Sequence, residues 1–203
     1  MYIPKSNILT DKYEAIDFIK KFSFGTIVTS KDNIPVATHL PFLVELRNDK
    51  IVLTSHFAKA NEQWKDVVEE KVLVIFSEPH AYISPSNYEK ELNVPTWNYI
   101  SIHTYGHGQL ITDSDKIIEL LEKTIEYYEE SYMKQWNSLP NDYKINMSKG
   151  IIAFEIEVDD LQAKKKLSQN KTETEQRNII STLSKSDNSN EKSIAEYMKK
   201  EQN

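Results

Sequence analysis

The run FGTIVTSKDNIPVATHLPFLVELRNDKIVLTSHF, residues 24 to 57, decides the fold. Three segments rich in β-branched and aromatic residues, 24 to 30, 34 to 46 and 50 to 57, are separated only by the polar triplets KDN and RND. Apolar segments joined by such short polar turns read as a strand meander. Beyond it, AKANEQWKDVVEE (58 to 70) sets Trp64, Val67 and Val68 on one side of a helix, and KVLVIF (71 to 76) returns as a buried strand. HAYIS (80 to 84), WNYISIHTYGHGQLIT (97 to 112) and GIIAFEIEV (150 to 158) add further strands. Helices are predicted over 12 to 22, about 115 to 132, 173 to 183 and 191 to 200; the first opens on Asp11 and Glu14 as a capping box. The class is therefore mainly β with α, an α+β chain built as a small antiparallel barrel with helices packed outside. A doubly wound parallel sheet is excluded, because strands follow strands and Gly106-His107-Gly108 lacks the third glycine and the helix of a dinucleotide fingerprint.

Composition sets the outer limits. The 203 residues are 39% hydrophobic and 28% charged, and a chain of this size buries about 70% of its extended surface. There is no cysteine, which removes disulfides, thiolate metal sites and cysteine nucleophiles together and fits a cytoplasmic location. Apolar runs are no longer than about Val72 to Phe76, against the ~20 residues a membrane helix needs, and MYIPKSNILTDKYEA reads as neither signal nor anchor. The net charge of -6 opposes general attraction to nucleic acid or anionic membrane. It is uneven, however: residues 164 to 203 hold nine Lys or Arg against six Asp or Glu. That asymmetry suggests a body and a C-terminal helical tail, with KSDNSN (185 to 190) as a linker or mobile loop.

Two clusters carry the chemistry. Thr54, Ser55, His56, Lys59 and Asn61 gather at a strand end and what reads as the first turn of the next helix, where hydroxyls, amides and one ammonium group suit an anion. The simpler reading makes Ser55 a helix cap and Lys59 a solvated side chain. The aromatics Tyr82, Tyr88 and Trp97, near Pro79, Pro85 and Pro95, could cover a planar ligand or belong to core or interface. His103 and His107, four apart on a predicted strand, stand ~13 Å from each other, too far for one metal ion.

The strings ATHLPF (37 to 42), TSHFAKANEQW (54 to 64), VIFSEPHAYISPSNY (74 to 88), VPTWNY (94 to 99), HTYGHG (103 to 108) and KKLSQNK (165 to 171) resemble, in order, those of the PaiB family. The resemblance implies a split β-barrel of the FMN-binding, pyridoxamine-phosphate-oxidase-like type over 1 to 171, followed by a partly mobile helical tail over 172 to 203. It also implies a homodimer with FMN at the subunit interface, and a role as negative transcriptional regulator. By the same resemblance, Thr38, His39, Leu40 and Pro41 line the isoalloxazine side, and Ser55, His56, Lys59 and Asn61, with Thr54, lie near the phosphate. Trp97, with Asn98 and Tyr99, borders the cleft or comes from the partner, while Ser168 and Gln169, with Lys166 and Asn170, close it. Two departures stand out. Ala58 precedes Lys59 where oxidases carry serine or arginine, and Asn87 replaces an aromatic residue of many relatives, opening one wall. An FMN-dependent oxidoreductase and a haem-binding or haem-degrading protein are the alternatives. DNA is a further partner through KKK (164 to 166) and the two tail helices, although DNSNEK is long for a helix-turn-helix turn; no membrane partner is expected, and the substrate stays unassigned.

Overall fold

In the computed structural model, which describes residues 1–202, the segment 24 to 57 forms four strands rather than three: β1 (Phe24–Lys31), β2 (Ile34–Pro41), β3 (Leu43–Arg47) and β4 (Lys50–Ala58). Two-residue hairpins close the first and last pairs, with Lys31 opposite Ile34 and Arg47 opposite Lys50. Their corner residues Asp32, Asn33, Asn48 and Asp49 all have φ between 51 and 65°. Asn and Asp tolerate this left-handed region, and the mirror-image turns it builds match the twist of the strands they join. The apolar run 34 to 46 breaks at Phe42. Its N–H donates to Ser23 O at 2.8 Å, and from Leu43 onward the ladder partner is β4 instead of β1.

The remaining elements are α1 (Lys12–Lys21), α2 (Gln63–Glu69), β5 (Lys71–Phe76), β6 (His80–Ile83), β7 (Thr96–Ile111), α3 (Ser114–Glu129), α4 (Met133–Ser138), α5 (Asn141–Ser148), β8 (Ile151–Lys166), α6 (Glu173–Ser184) and α7 (Ser189–Lys200). The sheet runs β2-β1-β5-β7-β8-β4-β3, and β6 pairs with β7. The class is α+β with an antiparallel sheet, as the meander predicts. Among the described residues no helix is long and apolar enough to cross a membrane.

The chain divides into two compact units. One comprises 16–75 and 104–161, and its core includes Ile27, Phe42, Leu53, Phe57, Val74 and Phe154, with Phe57 and Phe154 stacked at 4.9 Å. Two glycines on β7 are required there by close approach rather than by turning. A Cβ on Gly106 would lie 2.3 Å from Glu157 O, and one on Gly108 2.1 Å from Val67 Cγ1. The other unit comprises 1–15, 76–103 and 162 onward, and buries Ile83, Ile100, Ile102, Ile179, Ile194 and Met198.

Four expectations are corrected. The helix after β4 begins at Gln63, not at residue 58, and Val68 is exposed while Gln63 and Asp66 are buried with Val67. The helices α4 and α5 fall outside the predicted elements. β8 continues past residue 158 to Lys166: it neighbours β7 in the sheet, Leu9 N–H donates to Ala163 O at 3.0 Å and Ile8 bridges Lys164, so a polar strand end has partners. KKK is therefore strand, with Lys164 and Lys165 buried. Finally, Ser189 and Asn190 open α7 under an Asn188 cap, which leaves 185–188 as the connection. Helices α6 and α7 bury Ile179, Leu183, Ile194 and Ala195. The last tail residue, Asn203, lies outside the described residues.

Candidate functional site

In the larger unit the predicted residues fall on β2, β4 and the turn that follows. Thr38, His39, Leu40 and Pro41 form the second half of β2, whose side chains are exposed or half-buried throughout. Thr54, Ser55 and His56 lie on β4, and Lys59 and Asn61 occupy the turn before α2. One side chain absent from the predicted set ties these together. Gln63, 4% exposed, donates through Nε2 to Val36 O (3.0 Å) and Thr29 Oγ1 (3.1 Å), and its Oε1 accepts from Thr38 Oγ1 (2.6 Å). Asn61 completes the loop: its Nδ2 donates to Thr38 Oγ1 at 3.0 Å, and its Oδ1 accepts from Gln63 N–H at 3.1 Å. A buried amide must find partners or cost about 1 to 3 kcal/mol, so this network fixes β2 against the turn. The signal in the sequence was a glutamine in the buried register of an otherwise amphipathic stretch.

The same network separates structural groups from available ones. Ser55 Oγ donates to Pro41 O at 2.6 Å, so Ser55 braces the strand break and does not cap α2, which has no side-chain cap. Thr38 and Asn61 are consumed internally. Thr54, His56 and Lys59 have no side-chain hydrogen bond among the described residues, and Lys59 is exposed. Its backbone N–H donates to Gly150 O at 2.8 Å, which anchors the turn and leaves the ammonium group outward. Since α2 starts at Gln63, Lys59 stands outside the helix, and its value to an anion is its own charge rather than a helix end. Burial lowers the His56 pKa, so its imidazole is neutral near pH 7. His39 is exposed and stacks on Phe24, ring centroids 6.2 Å apart.

The remaining predicted residues belong to the smaller unit. Trp97, 52% exposed, sits edge-on to His80 (5.6 Å) and Tyr82 (5.9 Å) and presents an open aromatic surface. Asn98 is fully buried, accepting from Ser168 Oγ at 3.0 Å. Gln169 is used locally, accepting from Leu167 N–H (2.8 Å) and donating to Lys165 O (2.5 Å), a turn in which Ser168 takes φ 60°. Lys166 donates to Thr96 Oγ1, and its pKa is lowered by burial and by Lys164, which outweigh Tyr99. Asn87 does not open a wall. It is buried, with Oδ1 accepting from Thr182 Oγ1 at 2.7 Å and Nδ2 donating to Ser84 O at 3.1 Å, so it pins α6.

The KKK segment is similarly committed. Lys165 Nζ bonds Glu14 Oε1 (2.7 Å) and Glu201 Oε1 (2.6 Å), and Lys164 Nζ lies 5.0 Å from the centre of the Tyr99 ring. These two cations serve the fold rather than forming an open basic stripe.

Residues 1–160 match the family model described as "Putative FMN-binding domain". The protease synthase and sporulation protein PAI 2 of Bacillus subtilis is 42% identical over 201 residues, covering 98% of this chain and 96% of that protein. An uncharacterized protein of Emericella nidulans is 31% identical over 186 residues, covering 71% of this chain and 73% of that protein. Among solved structures, the flavocytochrome Anf3 from Azotobacter vinelandii superposes with a TM-score of 0.64 at 12% identity, covering 81% of this chain and 72% of that one. The FAD and heme binding protein from Mycobacterium smegmatis gives 0.63 at 13% identity, with 79% and 73% covered. At these identities the structural likeness establishes fold alone, and the fold is the split-barrel type expected from the sequence.

Proposed function

This chain belongs to the FMN-binding domain family and is a homologue of PAI 2, and from that premise we propose that it is an FMN-binding regulator of the PaiB type acting as a homodimer. The observation that carries the flavin reading is the division of labour around β2. Gln63 and Asn61 hold the strand rigidly, while Lys59, Thr54 and His56 next to it keep their polar groups uncommitted. A rigid strand with a half-exposed face suits a flat ring system, and an exposed, unpaired ammonium in the adjoining turn suits a phosphate. Because the flavin supplies any redox chemistry, the protein's part is to bind and orient it.

The homodimer is supported by apolar surface with nothing to cover it: Ile34 at 65% exposure in one unit, and Leu92 at 98% with Val94 and Trp97 in the other. For the regulatory role, the four-residue connection 185–188 between two twelve-residue helices suits a helix-turn-helix element better than the longer spacer read from sequence. DNA contact is assigned to the exposed Arg177, Lys185, Lys192, Lys199 and Lys200 of this pair, and not to KKK. Light scattering with and without FMN tests the dimer. Deleting 185–203 tests the DNA arm: specific promoter binding should be lost while FMN binding persists. A Soret band in freshly purified protein would replace the flavin reading with the haem one.

A further inference from the structure

A cavity in the unit formed by 16–75 and 104–161 does not lie at the proposed flavin residues. It measures about 630 Å³ and lies between β3, the end of β7 and α3, sharing only Thr54 with the flavin set. That volume is typical of a small-molecule site. Its floor is apolar, built from Phe42, Val44 and Leu120, each no more than 9% exposed. Most of the charges around it are held in local contacts. Arg47 pairs with Glu155 at 2.9 Å and with Glu45, and Lys123 pairs with Glu119 at 2.7 Å. The Asp113 carboxylate is taken up as the cap of α3, accepting from the N–H groups of Asp115 (2.9 Å) and Lys116 (3.4 Å).

Two lining cations make no ion pair of their own, although Lys116 also acts on Glu119 through space. Neither Lys20 nor Lys116 has a carboxylate within salt-bridge distance among the described residues. An apolar floor with two ammonium groups outside ion-pair distance at its margin has a definite complement. We propose that this cavity is a second ligand site, independent of flavin, that takes a small amphipathic anion such as a medium-chain fatty acid. The acyl chain lies on Phe42, Val44 and Leu120, and the carboxylate is held by Lys20 and Lys116. A neutral or cationic amphiphile would find the same floor but no charge partner, so the lysines set the class of ligand.

The test uses the full-length, flavin-free protein and the fluorescent fatty-acid analogue dansyl-undecanoate. Saturable enhancement is expected, with displacement by decanoate and at least about tenfold weaker displacement by decanol or decyltrimethylammonium, the factor a charge-assisted hydrogen bond supplies. Combining Lys20→Ala with Lys116→Ala should weaken the probe about tenfold or more, and Leu110→Trp, filling the cavity from a half-buried position, should block it. Circular dichroism melts confirm that the variants fold; Lys20→Gln with Lys116→Gln serves if the alanine pair does not. No saturable signal with the folded parent, equal displacement by decanol, or unchanged affinity in the lysine variants would overturn the site. Stoichiometric displacement by FMN would assign the cavity to the flavin. A change of oligomeric state with Leu110→Trp would assign it to a second copy of the chain, and either result ends the proposal.

Discussion

Thr38 on β2 and Gln63 at the start of α2 are joined by a 2.6 Å hydrogen bond in which Thr38 Oγ1 donates to Gln63 Oε1. The same carboxamide reaches back to β1 through Thr29 and Ile27, so one buried side chain fastens two strands to one helix. Gln63→Ala leaves Thr29, Val36 and Thr38 each short of a partner. The expected loss is about 2 to 4 kcal/mol in urea unfolding, above the roughly 1 kcal/mol of a single hydrogen bond. A loss near 1 kcal/mol would mean that water replaces the carboxamide and that the network is not cooperative.

The β7 glycines make a graded prediction. Gly106→Ala drives a methyl group to 2.3 Å from the Glu157 carbonyl, which is backbone and cannot step aside, so destabilisation should exceed the usual 1 to 3 kcal/mol of overpacking. Gly108→Ala meets Val67 Cγ1 at 2.1 Å and Val67 O at 2.9 Å, so adding Val67→Ala removes the worse contact and should recover part of the loss. Thermal melts of the single and double variants decide; no recovery would place the obstruction in the backbone.

Lys165 predicts an asymmetry. Its side chain is 10% exposed, whereas Glu14 and Glu201 are about 40% exposed. Removing both carboxylates, by Glu14→Gln with Glu201→Gln, leaves a buried ammonium unpaired and should cost about 3 kcal/mol. Lys165→Met leaves two carboxylates that water can reach and should cost less. Burial alone would lower the lysine pKa, but the two carboxylates outweigh it and the net shift is upward. The folded-state pKa is thus above the unfolded one, so this contribution is complete at neutral pH and fades as pH rises through the lysine's folded value. Parent and Lys165→Met stability curves should therefore converge in strong alkali.

Much of this was legible beforehand. Every predicted strand appears, because β-branched runs bounded by Asn and Asp turns are a local signal. The break at Phe42 was hidden inside a continuous apolar run, although Pro41, which has no N–H, stood directly before it. The end of β8 was unreadable for the opposite reason: DDLQAKKK is polar, and its partners, β7 in the sheet and Leu9 and Ile8 near the amino terminus, lie far away in sequence. In the candidate site, spacing could not show that Ser55 and Gln169 serve the backbone and Asn87 the helix α6. Hydrogen-bond commitments of this kind depend on tertiary neighbours that spacing cannot supply.

Two histidines contribute to the acid side of the stability profile. Burial lowers the pKa values of His56 and His103, the latter also through the nearby amino terminus. The unfolded chain then binds more protons than the folded one in the interval below the ordinary value near 6.5, so stability falls as pH drops through that window. His56→Gln should flatten the decline between pH 7 and 5 in urea unfolding. An unchanged slope would mean that His56 is already solvated.

The most direct test of the account is a titration of flavin-free protein with FMN, followed by quenching of flavin fluorescence, alongside FAD and the Lys59→Ala variant. Saturation at one FMN per chain is expected, with weaker binding of FAD and a loss of about 10- to 150-fold on Lys59→Ala at an unchanged apoprotein melting temperature. The parent should also lose affinity with added salt more steeply than the variant. Absence of saturable FMN binding by the folded parent would contradict the central claim, and equal affinity and salt slope in the two proteins would move the phosphate away from Lys59.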